Sequence, residues 1–435
     1  MAEKTAYEGT RVSRNAETGG APAAAVSKET GAGKAAGMRA AADVNVRMRA
    51  LGESRSVIRD IFEYGQARRA TVGAEKVFDF SLGNPSAPPP PCVAAALERA
   101  IKTESPMALH GYTSSPGAQE ARAAVAAVES GRAGYPIPPD AVYMTCGAAA
   151  SLSIALSAVV QPGDNVVLFA PFFPEYRVFA ETAGAAVRVV LPEGPDMLPS
   201  AAGLADVVDE HTRAVLINSP NNPSGAVYGE ATLSAIAAVL REAEARTGRV
   251  IYLLSDEPYR ELVYDGAAVP FVPAIYPDTL VCYSYSKSLS LPGERIGYIL
   301  VPPSVRDARA VFAAVCGAGR ALGYVCAPSL FQHILPAVCG AGPDLDAYRR
   351  PRALLLSAFR ELGYTCTEPA GAFYLFVKAP HGDAAAFCAR AREKDLLFVP
   401  SDSFGLPGYV RIAYCVEEKM VRRALPAIRS LGPAR

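Results

Sequence analysis

The sequence predicts an α/β protein: a large domain on a mainly parallel sheet between helices, joined to a smaller α+β domain drawn from both chain ends. Three observations lead there. Short apolar, β-branched runs alternate with Ala-rich helical stretches from about residue 90 to 300. Each run stops at a small group of polar or small residues. After residue 303 the texture changes to longer helices with few short strands. Continuous apolar strands separated by helices are covered on both faces, which is the pattern of a parallel sheet.

Residues 1–37 are rich in Ala, Gly, Ser, Thr and Glu and nearly lack large apolar side chains. Such a segment buries too little surface to offset its ordering entropy, so a disordered extension is expected. Glu3, Glu8, Glu17 and Glu29 argue against a targeting peptide, and Met38 is an alternative start. Residues 38–88 are expected to form an arm and part of the small domain, with the amphipathic stretch SVIRDIFEYGQARRA (56–70) packing there. Residues 89–303 form the expected large domain, with strands at 141–145, 165–170, 186–191, 213–218, 249–255 and 279–284. Helices are expected at 148–160 and 230–247 between them. Residues 304–435 form the expected small domain: helices in SVRDARAVFAAV and DLDAYRRPRALLLSAFREL, strands at 372–377 and 408–414, and the closing helix EEKMVRRALPAIRS.

Composition narrows the function. At 435 residues the chain is too long for one core. Lys plus Arg and Asp plus Glu number 43 each, and this balance speaks against a nucleic-acid partner. No apolar run approaches the roughly 18 residues that span a bilayer. Nine cysteines without C-x-x-C spacing, and only four histidines, give no zinc-ligand pattern, so no metal is expected. The cysteines read as reduced thiols packed in a cytoplasmic protein.

The strand ends carry the chemistry. Ligands in parallel sheets sit at the carboxyl ends of the strands. AVYMTCGAAAS ends in a small-residue turn that opens a helix, where bare amides at Gly147 to Ala149 suit an anion. TLVCYSYSK ends at Ser284, Ser286 and Lys287, with Arg295 eight positions on. Hydroxyls and a guanidinium would complete a phosphate cup, and a lysine of lowered pKa beside it would form a Schiff base. RVIYLLSDEPY ends at Asp256 with Tyr259 after it, and RAVLINSPNNPSG ends at Asn218, Asn221 and Asn222. An acid to hold a ring nitrogen protonated, a phenol and an amide for a ring hydroxyl, and a flat aromatic to stack all suit one cofactor: pyridoxal 5′-phosphate.

From about residue 55 to 430 the chain resembles the class I/II aminotransferases, fold-type I pyridoxal-phosphate enzymes with a seven-stranded large-domain sheet. SYSKSLSLPGERIGY is similar to the family's lysine signature. That implies the Schiff base on Lys287 and phosphate contacts from Ser284, Ser286 and Arg295. NNPSG resembles the NPTG motif, implying a ring-hydroxyl contact from Asn222. DEPY resembles D-x-x-Y, implying Asp256 for the pyridine nitrogen and Tyr259 as a second hydroxyl contact. CGAAAS stands at the phosphate turn, implying backbone contacts from Ala148 and Ala149. APFFPEY is similar to the P-x-Y-P block and implies Phe173 as the stacking ring. GYTSSPGAQEAR resembles a stretch whose tyrosine, here Tyr112, reaches the neighbouring subunit's phosphate, implying a homodimer with shared sites. GYVRIAY implies Arg411 for the substrate α-carboxylate, and SLGNPS implies Gly83 beside it.

The activity these resemblances imply moves an amino group from an L-amino acid to a 2-oxo acid by ping-pong kinetics. Two rivals keep the fold: a β-eliminating C–S lyase, and a non-catalytic pyridoxal-phosphate-binding regulator. Aspartate with 2-oxoglutarate is the first substrate expectation. A distal carboxylate would need a further cation, for which Arg55, Arg59, Arg177 and Lys102 are the candidates. Tyr64, Phe373 and Tyr374 are candidate pocket side chains.

Overall fold

The computed structural model describes residues 44–53 and 57–433. The extension expected at 1–37, the alternative start at Met38 and the candidate Arg55 lie outside these residues. Contacts divide the chain into two units, Met1–Ser54 and Arg55–Arg435. The described part of the first is one helix, Val46–Glu53, whose Met48 amide donates to Asn45 Oδ1 at 3.1 Å.

The strands of the second unit run in order as β1 (Phe78–Asp79), β2 (Val142–Thr145), β3 (Asn165–Phe169), β4 (Ala186–Val190), β5 (Pro192–Glu193), β6 (Leu198–Pro199), β7 (Thr212–Asn218), β8 (Tyr252–Asp256), β9 (Thr279–Ser284), β10 (Gly297–Leu300), β11 (Tyr374–Lys378), β12 (Leu396–Leu397), β13 (Val399–Pro400) and β14 (Tyr409–Ala413). Seven form the main sheet in the order β2-β10-β9-β8-β7-β3-β4. It is parallel except for β10, which runs antiparallel to both neighbours.

Strand side chains alternate between two covered faces. Val166, Leu168, Leu216, Leu254, Leu280 and Cys282 pack with the helix Ala148–Val159. Val167, Phe169, Val215, Ile217 and Leu253 pack with the helix Glu230–Thr247. Burial on both faces explains why these runs read as continuous apolar stretches rather than alternating ones. β10 was not among the expected strands. Its four residues follow a turn-rich segment, and its signal is too short to stand out.

Residues 308–338 were expected with the C-terminal domain, but they pack on the main sheet. Val311, Val315 and Ala318 of the helix Ala308–Ala321 join the core over β3, β7, β8 and β9. Ile334, Leu335 and Val338 of the helix Ser329–Val338 join Met144, Val281 and Tyr283 on the other face. The change of texture at 303 therefore marks the end of the main sheet's strands, while their helical cover continues.

A separate core forms on the antiparallel sheet β11-β14-β13, with the helices Asp346–Glu361, Ala384–Arg392 and Glu418–Arg429. The amphipathic segment after residue 56 forms the helix Val57–Val72, which packs with C-terminal residues as expected. Its Ile61 meets Val77, Leu397, Val399 and Phe404. Arg68 pairs with Asp395 at 2.6 Å and Arg69 with Asp79 at 3.0 Å. β1 adds parallel to β12, so the N-terminal and C-terminal parts of this unit are tied together. No helix among the described residues is long and apolar enough to cross a membrane.

Ile61 is one of two buried residues on its helix, and it is 4 % exposed. Ile61→Ala removes most of that anchor and leaves a cavity, so it should destabilise the protein by about 2–4 kcal/mol. Urea unfolding checks this.

Candidate active site

A cavity of about 290 Å³ lies at the carboxyl ends of the parallel strands. It is lined by Gly83, Ala148, Ala149, Phe173, Asn222, Asp256, Tyr259, Ser284, Ser286, Lys287, Arg295 and Arg411. Every expected site residue except Tyr112 is therefore brought to one place. Tyr112 is 91 % exposed and does not line the cavity of its own chain.

The residues of the expected anion cup come together where β2, β9 and β10 meet. β9 ends at Ser284, whose side chain caps the single-turn helix Tyr285–Ser288 by accepting from the Ser286 amide at 3.2 Å. Ser284 Oγ and Ser286 Oγ lie 2.7 Å apart, and Arg295 Nη1 donates to Ser286 Oγ at 3.3 Å. Gly147 precedes the helix that starts at Ala148, with φ at 89°. The backbone conformation favours glycine, and a Cβ there would stand 2.8 Å from Arg295 Nη2 and push the guanidinium aside. Gly297 has a similar duty, because a Cβ on it would meet the Tyr283 carbonyl at 2.2 Å and block the seating of β10.

Lys287 follows directly on this cup. Its Nζ donates to the Gly83 carbonyl at 2.6 Å. It lies 5.3 Å from the Phe373 ring centroid and 5.8 Å from that of Tyr259. Burial is the main cause that lowers its pKa to about 8, and the positive charges of Arg411 and Arg295 act in the same direction.

Asp256 closes β8. Tyr176 OH donates to its Oδ2, while its Oδ1 is buried without a partner. Burial pushes the carboxyl up to about 7; the Tyr176 hydrogen bond opposes the rise, and Glu257 adds to it. Tyr259 OH lies 3.1 Å from Tyr374 OH, and burial keeps its phenol protonated well above the usual range. Phe173 stands edge-on to Tyr176, with centroids 5.6 Å apart.

Arg411 enters from β14 and is 2 % exposed. It donates to Asn222 Oδ1 at 3.0 Å and to the Ser81 carbonyl at 2.6 Å, both neutral acceptors, while its Nε has no partner. Its guanidinium carbon sits 4.6 Å from the Tyr374 centroid and 5.2 Å from that of Phe404. A buried cation with neutral partners and a spare donor suits an incoming carboxylate.

These residues fit pyridoxal phosphate. The orphan Asp256 Oδ1 matches a protonated ring nitrogen, the Gly147–Arg295 cradle matches a phosphate, and the lowered lysine matches an aldehyde carbon. Sequence reasoning missed Tyr176, which lies one helical turn beyond Phe173 and carried no mark beyond its place in APFFPEY. It also missed Ile58, Leu152 and Phe179, which line the cavity as apolar walls. Of the pocket candidates, Tyr374 lines the cavity and Tyr64 does not; Phe373 is fully buried behind Lys287. Arg59, Arg177 and Lys102 do not line it either. Arg177 is 3.9 Å from Glu181, and Lys102 is 3.3 Å from Glu98.

Residues 75–428 match the family described as aminotransferase class I and II. The chain is 28 % identical over 410 residues to an aspartate aminotransferase of Streptomyces avermitilis, covering 89 % of this chain and 96 % of the relative. It is 31 % identical over 397 residues to a valine–pyruvate aminotransferase of Mycobacterium tuberculosis, covering 87 % and 96 %. A crystal structure of an aminotransferase from Eubacterium rectale superposes with a TM-score of 0.88 at 49 % identity, covering 90 % of this chain and 98 % of that one.

The neutral amine is the reactive form of a lysine, so Lys287 in cofactor-free protein should acylate with a midpoint near pH 8 rather than 10.5. Arg411→Gln removes one of the charges that lower its pKa, so the midpoint should rise. Peptide mass spectrometry after pulse labelling with a small amine-reactive reagent across pH measures both.

Proposed function

The chain belongs to the class I and II aminotransferases, a pyridoxal-phosphate-dependent family. From that premise we propose that it moves an amino group from an L-amino acid to a 2-oxo acid in two half-reactions at the cavity around Lys287. The observation that carries this reading is Arg411: a buried guanidinium with a spare donor, facing the same cavity as a lysine of lowered pKa.

Pyridoxal phosphate, when bound, supplies an aldehyde that condenses with amines and a protonated ring that accepts the electron pair left on the substrate's α-carbon. In this reading the chain's residues divide the remaining work. Ser284, Ser286, Arg295 and the amides of Ala148 and Ala149 hold the phosphate. Asp256 would accept from the ring nitrogen through its unpartnered Oδ1, and Phe173 would cover the ring face. Asn222 has its Oδ1 engaged by Arg411, which leaves its amide donor for the ring hydroxyl beside Tyr259. Lys287 would hold the aldehyde carbon, and its Nζ, whose pKa is lowered to about 8, would serve as the base that takes the proton from the substrate's α-carbon. Arg411 and the neighbouring Gly83 backbone position the substrate carboxylate. Tyr112 is assigned to the site of a second copy in a homodimer, because its own chain leaves it outside the cavity.

Aspartate with 2-oxoglutarate is the first pair to test. The cations lining the cavity among the described residues are Lys287, Arg295 and Arg411, and a distal carboxylate would draw its partner from a second copy or from the candidate Arg55, which lies outside those residues. The apolar walls at Ile58, Leu152 and Phe179 favour an aliphatic amino acid as the second reading.

The test is the visible spectrum of the purified protein. A yellow enzyme that bleaches with aspartate and recovers with 2-oxoglutarate supports both half-reactions. A yellow enzyme that bleaches only with aliphatic donors moves the substrate to the second reading. Release of pyruvate and ammonia from cysteine without any 2-oxo acid would replace transamination by β-elimination. A protein that takes up no pyridoxal phosphate overturns the reading. In the active enzyme, Arg411→Gln should lower kcat/KM for the amino donor about 100-fold, chiefly through KM, because a charge-assisted pair is lost in ground and transition states alike. Steady-state kinetics checks this.

A further inference from the structure

The segments that carry the cavity residues also carry a second group of charges that the proposed chemistry leaves unused. Arg260 Nη1 lies 2.8 Å from Glu129 Oε1 and 3.5 Å from Glu257 Oε2, and its Nε lies 2.8 Å from Glu261 Oε1. Its Nη2 donates to Tyr298 OH at 2.9 Å, and Tyr298 OH donates to Glu129 at 2.6 Å. The guanidinium carbon stands 3.9 Å from the Tyr283 ring centroid. Arg132 bridges the same two carboxylates, at 3.0 Å from Glu129 and 3.1 Å from Glu257. Tyr283 OH is within hydrogen-bond distance of both Glu261 Oε1, at 2.9 Å, and Ser288 Oγ, at 2.7 Å. Glu129 and Glu257 are fully buried.

Two features set this network apart from an ordinary ion pair. Buried ion pairs contribute little net stability, because desolvation takes back most of the attraction, so stability alone does not account for five charges here. Three members of the network are also chain neighbours of cavity residues: Glu257 follows Asp256, Arg260 follows Tyr259, and Ser288 follows Lys287. One side of each segment faces the cavity, and the next side chain enters the network.

We propose that Arg260 is a positioning residue for the active site: ion-paired with Glu129 and Glu257 and hydrogen-bonded to Glu261 and Tyr298, it fixes the segments that carry Asp256, Tyr259 and Lys287 and balances the charge beside them. The idea rests on the pyridoxal-phosphate reading above. Three carboxylates and two guanidiniums make the network one unit negative by formal count, and Arg260 is its more buried cation. Its loss leaves Glu129 and Glu257 less compensated next to Asp256. The other groups facing the site are few and named. Asp256 meets Tyr176, Tyr259, Cys282 and Glu257. Lys287 meets Cys415, Arg411 and Arg295 from three other segments.

The experiment titrates the visible absorbance of the full-length enzyme loaded with pyridoxal phosphate, alongside its thermal midpoint. Removing a positive charge raises the proton affinity of a nearby nitrogen, and removing a negative charge lowers it. Arg260→Gln should therefore move the absorbance midpoint up, and Glu257→Gln should move it down, each by about 0.5 pH unit or more. A network that only supports the fold would lower both thermal midpoints and leave the absorbance midpoints in place; that result, or shifts in the same direction, overturns the proposal. If Arg260→Gln does not fold, Glu257→Gln decides alone: a lowered midpoint supports the proposal and an unmoved one overturns it. A wild-type chain that binds no pyridoxal phosphate overturns the functional reading instead.

Discussion

A buried guanidinium must find acceptors, and Arg411 finds them on segments far apart in the chain. It starts on β14, reaches the carbonyl of Ser81 near the N-terminal end of the unit, and reaches Asn222 at the end of the main sheet's β7. The rings of Tyr374 and Phe404 pack against it. No single element could satisfy this charge, so its burial is possible only when the antiparallel sheet, the N-terminal strand segment and the main sheet are assembled together. The cavity is the space those three parts enclose, and Arg411 is part of its wall. Helix Val57–Val72 reinforces the same junction by packing on β12 and β13 while placing Ile58 at the cavity.

The electrostatics of the cavity follow from that burial. Lys287 and Asp256 are both displaced toward their neutral forms, to about 8 and about 7, with burial as the leading cause in each. The signs work against stability from both sides. A lysine with a lowered pKa contributes stability only at high pH and loses it as pH falls from 10.5 through about 8. A carboxyl with a raised pKa contributes only at low pH and loses it as pH rises from 3.8 through about 7. Near neutral pH the folded chain therefore carries two groups that prefer a different state. In the proposed function this is useful: the amine is poised to act as nucleophile and base, and the buried carboxyl gains its charge partner when it accepts a hydrogen bond from a protonated ring nitrogen. The stored disadvantage belongs to the site, in line with the general tendency of functional sites to work against folding stability.

Much of the candidate site was legible in the sequence because its parts are local. A phosphate turn, a lysine after two serines, and an acid with a tyrosine three residues on are each a few residues long, at the end of an apolar strand. The sheet face on which a strand's residues fall follows from period-two alternation, and the strand ends share one edge because the strands are parallel. β10 escaped notice because four residues in a Gly/Pro-rich stretch carry little periodic signal. Residues 308–338 were misplaced because an amphipathic helix shows that it has an apolar face but not which sheet receives it.

The identity of the chemical groups and their order along the chain were thus settled by the residues themselves, since they depend on short stretches whose neighbours are already known. The state of those groups was decided only by the fold. That Lys287 lies against the Gly83 carbonyl, that Asp256 keeps one oxygen bare while Tyr176 holds the other, and that Arg260 reaches Glu129 all depend on pairs separated by tens to hundreds of residues. Burial and long-range contact set proton affinities and side-chain orientation. Neither is a property of any local stretch of sequence.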